Sequence, residues 1–310
     1  MNKTYKLLSR IGYGSNFNNM YIDYESNIIK KECFNSYGFK KINYEIALYR
    51  YIIDNKINFP IPYIYSFDDN GYTMQYLYNF TPLYKIFKNL DTNKIITKIN
   101  KQLIYLHSFT KKYVTKEIYI YHLKIEIETK IMDRIRIINP IIQKYNYIKT
   151  INNKQIIPFE ILMEKLKSSI YNIIDSKNEY YFVPIHGDCQ FNNILYNNEL
   201  DECIFIDPRG YFGELSIFGI SEYDDAKVKF ALSGYDEFDN RHIDNLNIKD
   251  NNIEIFIDFL DENIINDKSL STLLMITIWL GNSHCFISNE YKAVYSYYIA
   301  LYLGTLFFTQ

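Results

Sequence analysis

Three oxygen-bearing side chains in one short stretch, Asp188, Asn193 and Asp207, have the types and spacing that suit magnesium-dependent phosphoryl transfer. A nucleoside triphosphate brings several negative charges close to an attacking oxygen, so the site needs a divalent metal and hard oxygen ligands to hold it. Asp207 and Asn193 supply such oxygens. The acceptor hydroxyl must also be pointed at the terminal phosphorus and relieved of its proton, and Asp188 is the carboxylate placed for that. Asp188 follows His186-Gly187 and precedes Asn193 by five residues, so a tight loop can aim carboxylate and amide into one cleft.

The elements that must position these groups are legible on either side. Val183 to Ile185 leads into the loop, Ile194-Leu195-Tyr196 leads out, and after a polar turn from Asn197 to Glu202 a second apolar run, Cys203 to Ile206, delivers Asp207. Two short strands joined by a turn would carry Asp207 back beside Asn193. The plainer alternative is a polar turn between two core strands, with His186 and Asp188 capping backbone amides.

The pattern H-G-D-x-x-x-x-N from His186 to Asn193, followed by an apolar strand and Asp207-Pro208-Arg209-Gly210, resembles the catalytic and metal-binding segments of the aminoglycoside phosphotransferase and choline kinase superfamily. D-P-R-G is similar to a subset of these enzymes associated with capsule and surface-sugar genes. The resemblance implies an α+β, two-lobed protein-kinase-like fold, with a small antiparallel-sheet lobe over residues 1–77 and a larger, mainly helical lobe over 78–310. It also implies Asp188 as catalytic base, Asn193 and Asp207 as Mg2+ ligands, His186 as a brace of the loop, and ATP or GTP as phosphoryl donor.

The amino-terminal segment reads in the order such a plan requires. Lys6 to Ile11 alternates toward a strand, Gly12-Tyr13-Gly14-Ser15-Asn16 makes a flexible turn, and Met20 to Tyr24 returns. Gly12 and Gly14 let backbone N–H groups approach an anion closely, which would make this turn, with Ser15, a lid over phosphates. It also suits an ordinary hairpin, and Phe17 stands where a kinase loop has its third glycine. A third strand, Asn27 to Lys31, precedes a helical pattern from Tyr37 to Ile53. In the kinase-like plan a strand lysine meets the phosphates and a helix glutamate anchors it. Glu45 is the helix candidate. Lys30 is the preferred lysine, because Ile28-Ile29-Lys30 is similar to the family's strand end, with Lys31 on the opposite face as the alternative. Tyr63 to Phe67 and Tyr72 to Leu77 flank the turn signal Asp68-Asp69-Asn70-Gly71. Met74 to Tyr78 resembles the family's hinge, implying nucleobase contacts at Gln75 and Leu77.

Ile95 to Leu106 has helical periodicity and ends in Leu106-His107, where a packed core histidine is expected. Residues 111–177 read as helices separated at Asn139-Pro140 and Ile157-Pro158, an insertion placed to shape an acceptor pocket. Arg209 could clamp a phosphate or acidic acceptor through its forked donors, or pair with Glu214. Glu222-Tyr223-Asp224-Asp225-Ala226-Lys227 resembles the family's Y-D-L-A-K helix start, with Asp225 in place of leucine, and Asp224 would cap that helix and steady the loop. Gly234 to Asp239 reads as an acidic turn, solvated or facing a cationic substrate.

Composition bounds the partners. With 310 residues, 48% hydrophobic, the chain can bury a core for two lobes. A net charge of −2 supplies no basic excess for general nucleic-acid binding. The 32 tyrosines are spread along the whole chain and mark no stacking site. Cys33, Cys189, Cys203 and Cys285 form no C-x-x-C pair, which fits reduced thiols in the cytoplasm. The apolar runs Leu273–Leu280 and Ala293–Phe308 are too short or too polar for a span and read as buried helices. The expected function is phosphoryl transfer to a hydroxyl of a sugar, aminoglycoside or choline-like acceptor. A catalytically silent nucleotide-binding scaffold is the alternative, and a protein kinase is disfavoured by the lack of H-R-D and A-P-E. The oligomeric state is not readable.

Overall fold

The computed structural model describes residues 5–8, 17–255 and 260–310. The chain divides into two compact units interleaved along the sequence: Met1–Lys112 with Tyr181–Asp224, and Tyr113–Tyr180 with Asp225–Gln310.

The first unit begins with a five-stranded antiparallel sheet. Its strands are β1 (Lys6–Leu7), β2 (Asn18–Asp23), β3 (Ile28–Cys33), β4 (Ile64–Phe67) and β5 (Gly71–Gln75), in the order β1-β2-β3-β5-β4. Short polar turns close the hairpins. Asp23 Oδ1 accepts the N–H groups of Glu25 and Ser26, and Asn27 takes the left-handed φ of 53° that ends the β2–β3 turn. Asp68 Oδ1 accepts the Asn70 N–H at 2.9 Å before β5.

Helix α1 (Ser36–Asp54) lies between β3 and β4 in the chain. Asn35 caps it by accepting the Gly38 N–H at 2.8 Å. Its buried stripe, Ile42, Glu45, Ile46, Tyr49 and Ile52, recurs at three- and four-residue steps. Ile42, Ile46, Tyr49, Tyr72 and Met74 form a core over the sheet, rimmed by Met20, Ile29, Ile64 and Phe67. A carboxylate therefore sits inside an otherwise apolar stripe. Five strands and one helix in this order match the sequence reading, with boundaries that fall among the described residues moved by no more than two residues.

Thr81–Pro82 (β6) then pairs with Ile194–Asn197, which pairs antiparallel with Glu202–Phe205. Between them along the chain come helix α2 (Thr92–Ser108), capped by Asp91, and the strand Tyr181–Pro184, paired with Phe218–Gly219. This hairpin layer positions the loop from His186 to Asn193.

The second unit is mainly helical. Its longer helices include Lys130–Ile142, Phe159–Asp175, Leu270–Asn282 and Glu290–Thr309. Trp279 is fully buried, with the rings of Phe230, Tyr235 and Phe238 around it and its indole N–H donated to Ser233 Oγ at 2.8 Å. Every residue from Ala293 to Phe307 is buried. Among the described residues, no helix is long and apolar enough to cross a membrane.

Two local expectations are corrected here. Pro140 does not separate helices: it lies inside Lys130–Ile142, near the carboxyl end, where the helix tightens into a 3-10 turn at Gln143–Tyr145. Pro158 does precede a helix, at Phe159. The acidic turn after Gly234 is instead a helix, Tyr235–Asn240, because Tyr235 and Phe238 fall on one face and bury against Trp279, taking Asp236 inside with them.

Candidate active site

The loop that carries Asp188 is held from behind by a buried carboxylate. Asp224, in the first turn of helix α3 (Ser221–Leu232), is fully buried. It accepts the backbone N–H of His186 at 2.9 Å and of Gly187 at 2.6 Å, and the Nε2–H of His107 at 2.9 Å. Burial pushes its carboxyl up, but the hydrogen bond and charge of His107, with the loop N–H groups, outweigh this and hold it below the usual carboxylate range. Asp224 thus does not cap its own helix, which starts three residues earlier at Ser221; its oxygens are engaged by the loop. The Cys189 thiol donates to the Asp224 carbonyl, so this cysteine packs under the loop.

His186 ties that loop to the strand bearing Asp207. Its Nε2–H donates to the Ile206 carbonyl at 3.1 Å and its Nδ1 accepts the Asp188 N–H at 3.3 Å, which fixes the neutral tautomer. Burial holds the imidazole below its ordinary 6.5. Its carbonyl accepts the Arg209 N–H at 2.9 Å, and the Ile206 N–H donates to the Asn193 carbonyl at 2.9 Å. Three of these bonds, to Ile206 and Arg209, therefore bracket Asp207 against the two ends of the loop.

Asp188 and Asn193 meet directly. Asn193 Nδ2 donates to Asp188 Oδ2 and to the Asp188 carbonyl, each at 2.9 Å. Neither bond uses Asn193 Oδ1, which remains as a hard oxygen donor. Asp207 follows with a left-handed φ of 51°, a conformation Asp tolerates better than most side chains. No group of three or more His, Cys, Asp or Glu that could hold a metal alone is present among the described residues. One amide oxygen and one carboxylate instead fit Mg2+, which keeps waters and shares its coordination with substrate phosphates.

The strand lysine that pairs with Glu45 is Lys31, not Lys30. Lys31 Nζ, 3% exposed as a residue, donates to Glu45 Oε2 at 2.7 Å and to Asp207 Oδ1 at 3.1 Å. Adjacent strand residues point to opposite faces, so Lys30 lies on the other side of β3, half-exposed and paired with Glu32. Burial pushes the Glu45 carboxyl up, with Lys31 pulling it back toward the charged form. Tyr72 O–H donates to the same Glu45 oxygen at 2.9 Å.

Gly210 brings helix and loop together. Its φ is +63°, and a Cβ there would stand 2.3 Å from the Tyr44 carbonyl, beside Glu45 on α1. Arg209 lies over the Tyr211 ring, its Cζ 3.9 Å from the centroid, and donates to the Tyr223 hydroxyl. The far side of sequence expectation is less complete. Gly12, Gly14 and Ser15 lie outside the described residues. Gln75 ends β5, its N–H donated to the Tyr63 carbonyl, and the Leu77 carbonyl accepts the Phe80 N–H in the turn that follows.

Three contributors escaped the sequence reading. His107 is expected only as core packing, yet it donates to Asp224; Tyr72, which donates to Glu45, and Tyr49, which packs edge-on against Tyr72, are lost among the many tyrosines. Their signal was the alternation of β5, which turns Tyr72 inward with Met74.

With this geometry in hand, the comparisons are consistent. Residues 96–208, less than half of the chain, match the model of the ecdysteroid kinase-like family. No curated protein matches the chain. Among solved structures, the chain is similar to a choline/ethanolamine kinase family protein from Mesorhizobium loti, with a TM-score of 0.54 and 9% identity over 97% of this chain and 88% of that one. It is similar to the ADP-bound aminoglycoside phosphotransferase APH(2'')-Ib, with a TM-score of 0.54 and 12% identity over 98% and 94%. LicA in complex with AMP gives 0.51 and 17% over 99% and 94%. The resemblance read from the loop motif thus extends to the fold, which is the one these phosphotransferases and kinases share.

Two outcomes follow from the bracket and the close approach. Gly210→Ala should cost about 1–3 kcal/mol from backbone strain alone, and more as Tyr44 is displaced; an unchanged urea midpoint would mean that α1 does not need this glycine. Because the folded chain keeps His186 neutral while the unfolded chain takes up a proton below 6.5, its contribution is complete above that pH and is lost as the pH falls toward the folded value. Urea titrations from pH 7.5 to 5 should show stability falling by at most about 1.4 kcal/mol per pH unit from this group, and His186→Asn should flatten the slope. An equal slope in the variant contradicts the assignment.

Proposed function

We propose that the protein is a small-molecule kinase that moves the terminal phosphoryl group of ATP or GTP to a hydroxyl of a sugar, aminoglycoside or choline-like acceptor. The observation that carries this reading is a pair of hydrogen-bonded groups, Asp188 with Asn193 and Lys31 with Asp207 and Glu45, tied to each other by the bonds of Ile206 to His186 and to the Asn193 carbonyl, each residue being of the type the reaction needs. The family match and the shared fold support it, since the similar proteins are kinases and phosphotransferases.

In this reading Asp188 accepts the proton of the attacking hydroxyl. Asn193 Nδ2, bonded to Asp188 Oδ2, fixes which carboxylate oxygen faces the acceptor. Asn193 Oδ1 and the Asp207 carboxylate hold Mg2+, which supplies charge neutralisation to the phosphate oxygens. Lys31 takes the phosphate-orienting role expected of Lys30, held in direction by Glu45. His186 and Asp224 keep the loop rigid, so that no reorganisation is needed as charge develops. Gly12, Gly14 and Ser15 are assigned to phosphate binding, and the chain from Gln75 to Leu77 to the nucleobase, the amino-terminal 1–77 portion forming the nucleotide lobe. Arg209, over the Tyr211 ring, is assigned to recognition of a phosphate or acidic group through its forked donors. A cytoplasmic enzyme serving surface-sugar or capsule synthesis suits the D-P-R-G motif.

Asp188→Ala should lower transfer by about 10²–10⁴-fold while nucleotide affinity and the unfolding midpoint stay near those of the native chain. The assay is nucleotide consumption with Mg2+ against choline, ethanolamine, sugars and aminoglycosides. Full transfer by the variant removes Asp188 from its role, and nucleotide binding by the native chain without transfer to any acceptor points to the silent scaffold.

A further inference from the structure

Lys31 and Tyr72 are direct partners across the antiparallel β3–β5 ladder. Side chains at paired positions rise from the same face of a sheet, and these two end on a single oxygen, Glu45 Oε2, at 2.7 and 2.9 Å. The Tyr72 ring has no freedom to leave. It is fully buried, set edge-on against the equally buried Tyr49 with centroids 5.3 Å apart. The Lys31 ammonium, by contrast, ends a flexible four-carbon stem, and Glu45 reaches inward from α1 on three rotatable bonds. Two flexible side chains do not define a direction by pairing with each other. A third donor on a rigid ring does.

We infer that Tyr72 is a positioning residue of the nucleotide site, resting on the reading of Lys31 as the phosphate-binding lysine: its phenol O–H pins the Glu45 oxygen from which Lys31 is aimed toward Asp207. The competing account is that Tyr72 is a core tyrosine whose hydroxyl found a nearby acceptor, with Lys31 indifferent to it. The two differ in what the loss of one hydroxyl does. Tyr72→Phe keeps the ring, its packing on Tyr49 and the buried volume, and removes only the donor. Burial of Glu45 makes this donor consequential, because a hydrogen bond to a charged, desolvated group is stronger than one between neutral groups.

The test uses the full chain, with ADP and Mg2+ as probe, in native protein, Tyr72→Phe, Glu45→Gln and the double variant. Calorimetry should show affinity about tenfold weaker in Tyr72→Phe, near the lower end for a hydrogen bond to a charged group. In the Glu45→Gln background the same change should cost less than about twofold, because Tyr72 acts only through Glu45. A second readout needs no nucleotide. The 15N signal of the Lys31 ammonium, assigned with Lys31→Met, should show hydrogen exchange at least about tenfold faster in Tyr72→Phe as the pair loosens. Equal affinity and equal exchange in Tyr72→Phe and native protein overturn the inference, as does an equal loss in both backgrounds. If the native chain binds no nucleotide, the kinase reading fails, and the ammonium exchange alone still decides whether Tyr72 holds the pair.

Discussion

Lys31 is a buried ammonium between two carboxylates, and the rest of the candidate site's geometry depends on keeping it there. A charge withdrawn from water is costly unless it is paired and hydrogen-bonded, and removing one partner of such a pair is more damaging than never having buried it. Lys31 reaches Glu45 at 2.7 Å and Asp207 at 3.1 Å, so one cation joins a sheet strand, a helix and the end of the hairpin that leads to Asp207. This arrangement demands that α1 approach the Asp207 segment closely. Gly210 meets that demand, because only a residue without Cβ can lie against the Tyr44 carbonyl in a left-handed conformation.

The second requirement is a rigid loop. Asp224 and His186 satisfy backbone groups that would otherwise stand unpaired in a buried turn. Their bonds run both ways. His186 accepts the Asp188 N–H on one nitrogen and donates its N–H to the Ile206 carbonyl with the other, so the backbone at Asp188 and the backbone just before Asp207 are joined through one neutral ring. Preorganisation of this kind places the groups before any substrate arrives.

Much of this was legible in the sequence, for identifiable reasons. The α1 stripe and the strand–loop–strand around Asp188 carry strong periodicity and turn chemistry, and the kinase-like plan, which asks for a helix glutamate beside a strand lysine, points to Glu45. The choice between Lys30 and Lys31 was not legible, because Ile28 and Ile29 occupy both faces of β3 and the parity of the strand is fixed only by its partners in the sheet. Tyr72 was hidden by a composition in which tyrosine is common everywhere. The helix at Tyr235–Asn240 was masked by its acidic residues, since the pair that buries it, Tyr235 and Phe238, gains its meaning from a tryptophan far along the chain.

The most direct measurement is a crystal structure with ADP and Mn2+, locating the metal by its anomalous scattering. The account predicts a metal about 2.0–2.3 Å from Asn193 Oδ1 and from an Asp207 carboxylate oxygen, with Lys31 still bonded to Glu45 and directed at the phosphates. A metal bound away from either residue, or a nucleotide whose phosphates lie out of reach of Lys31, would contradict it.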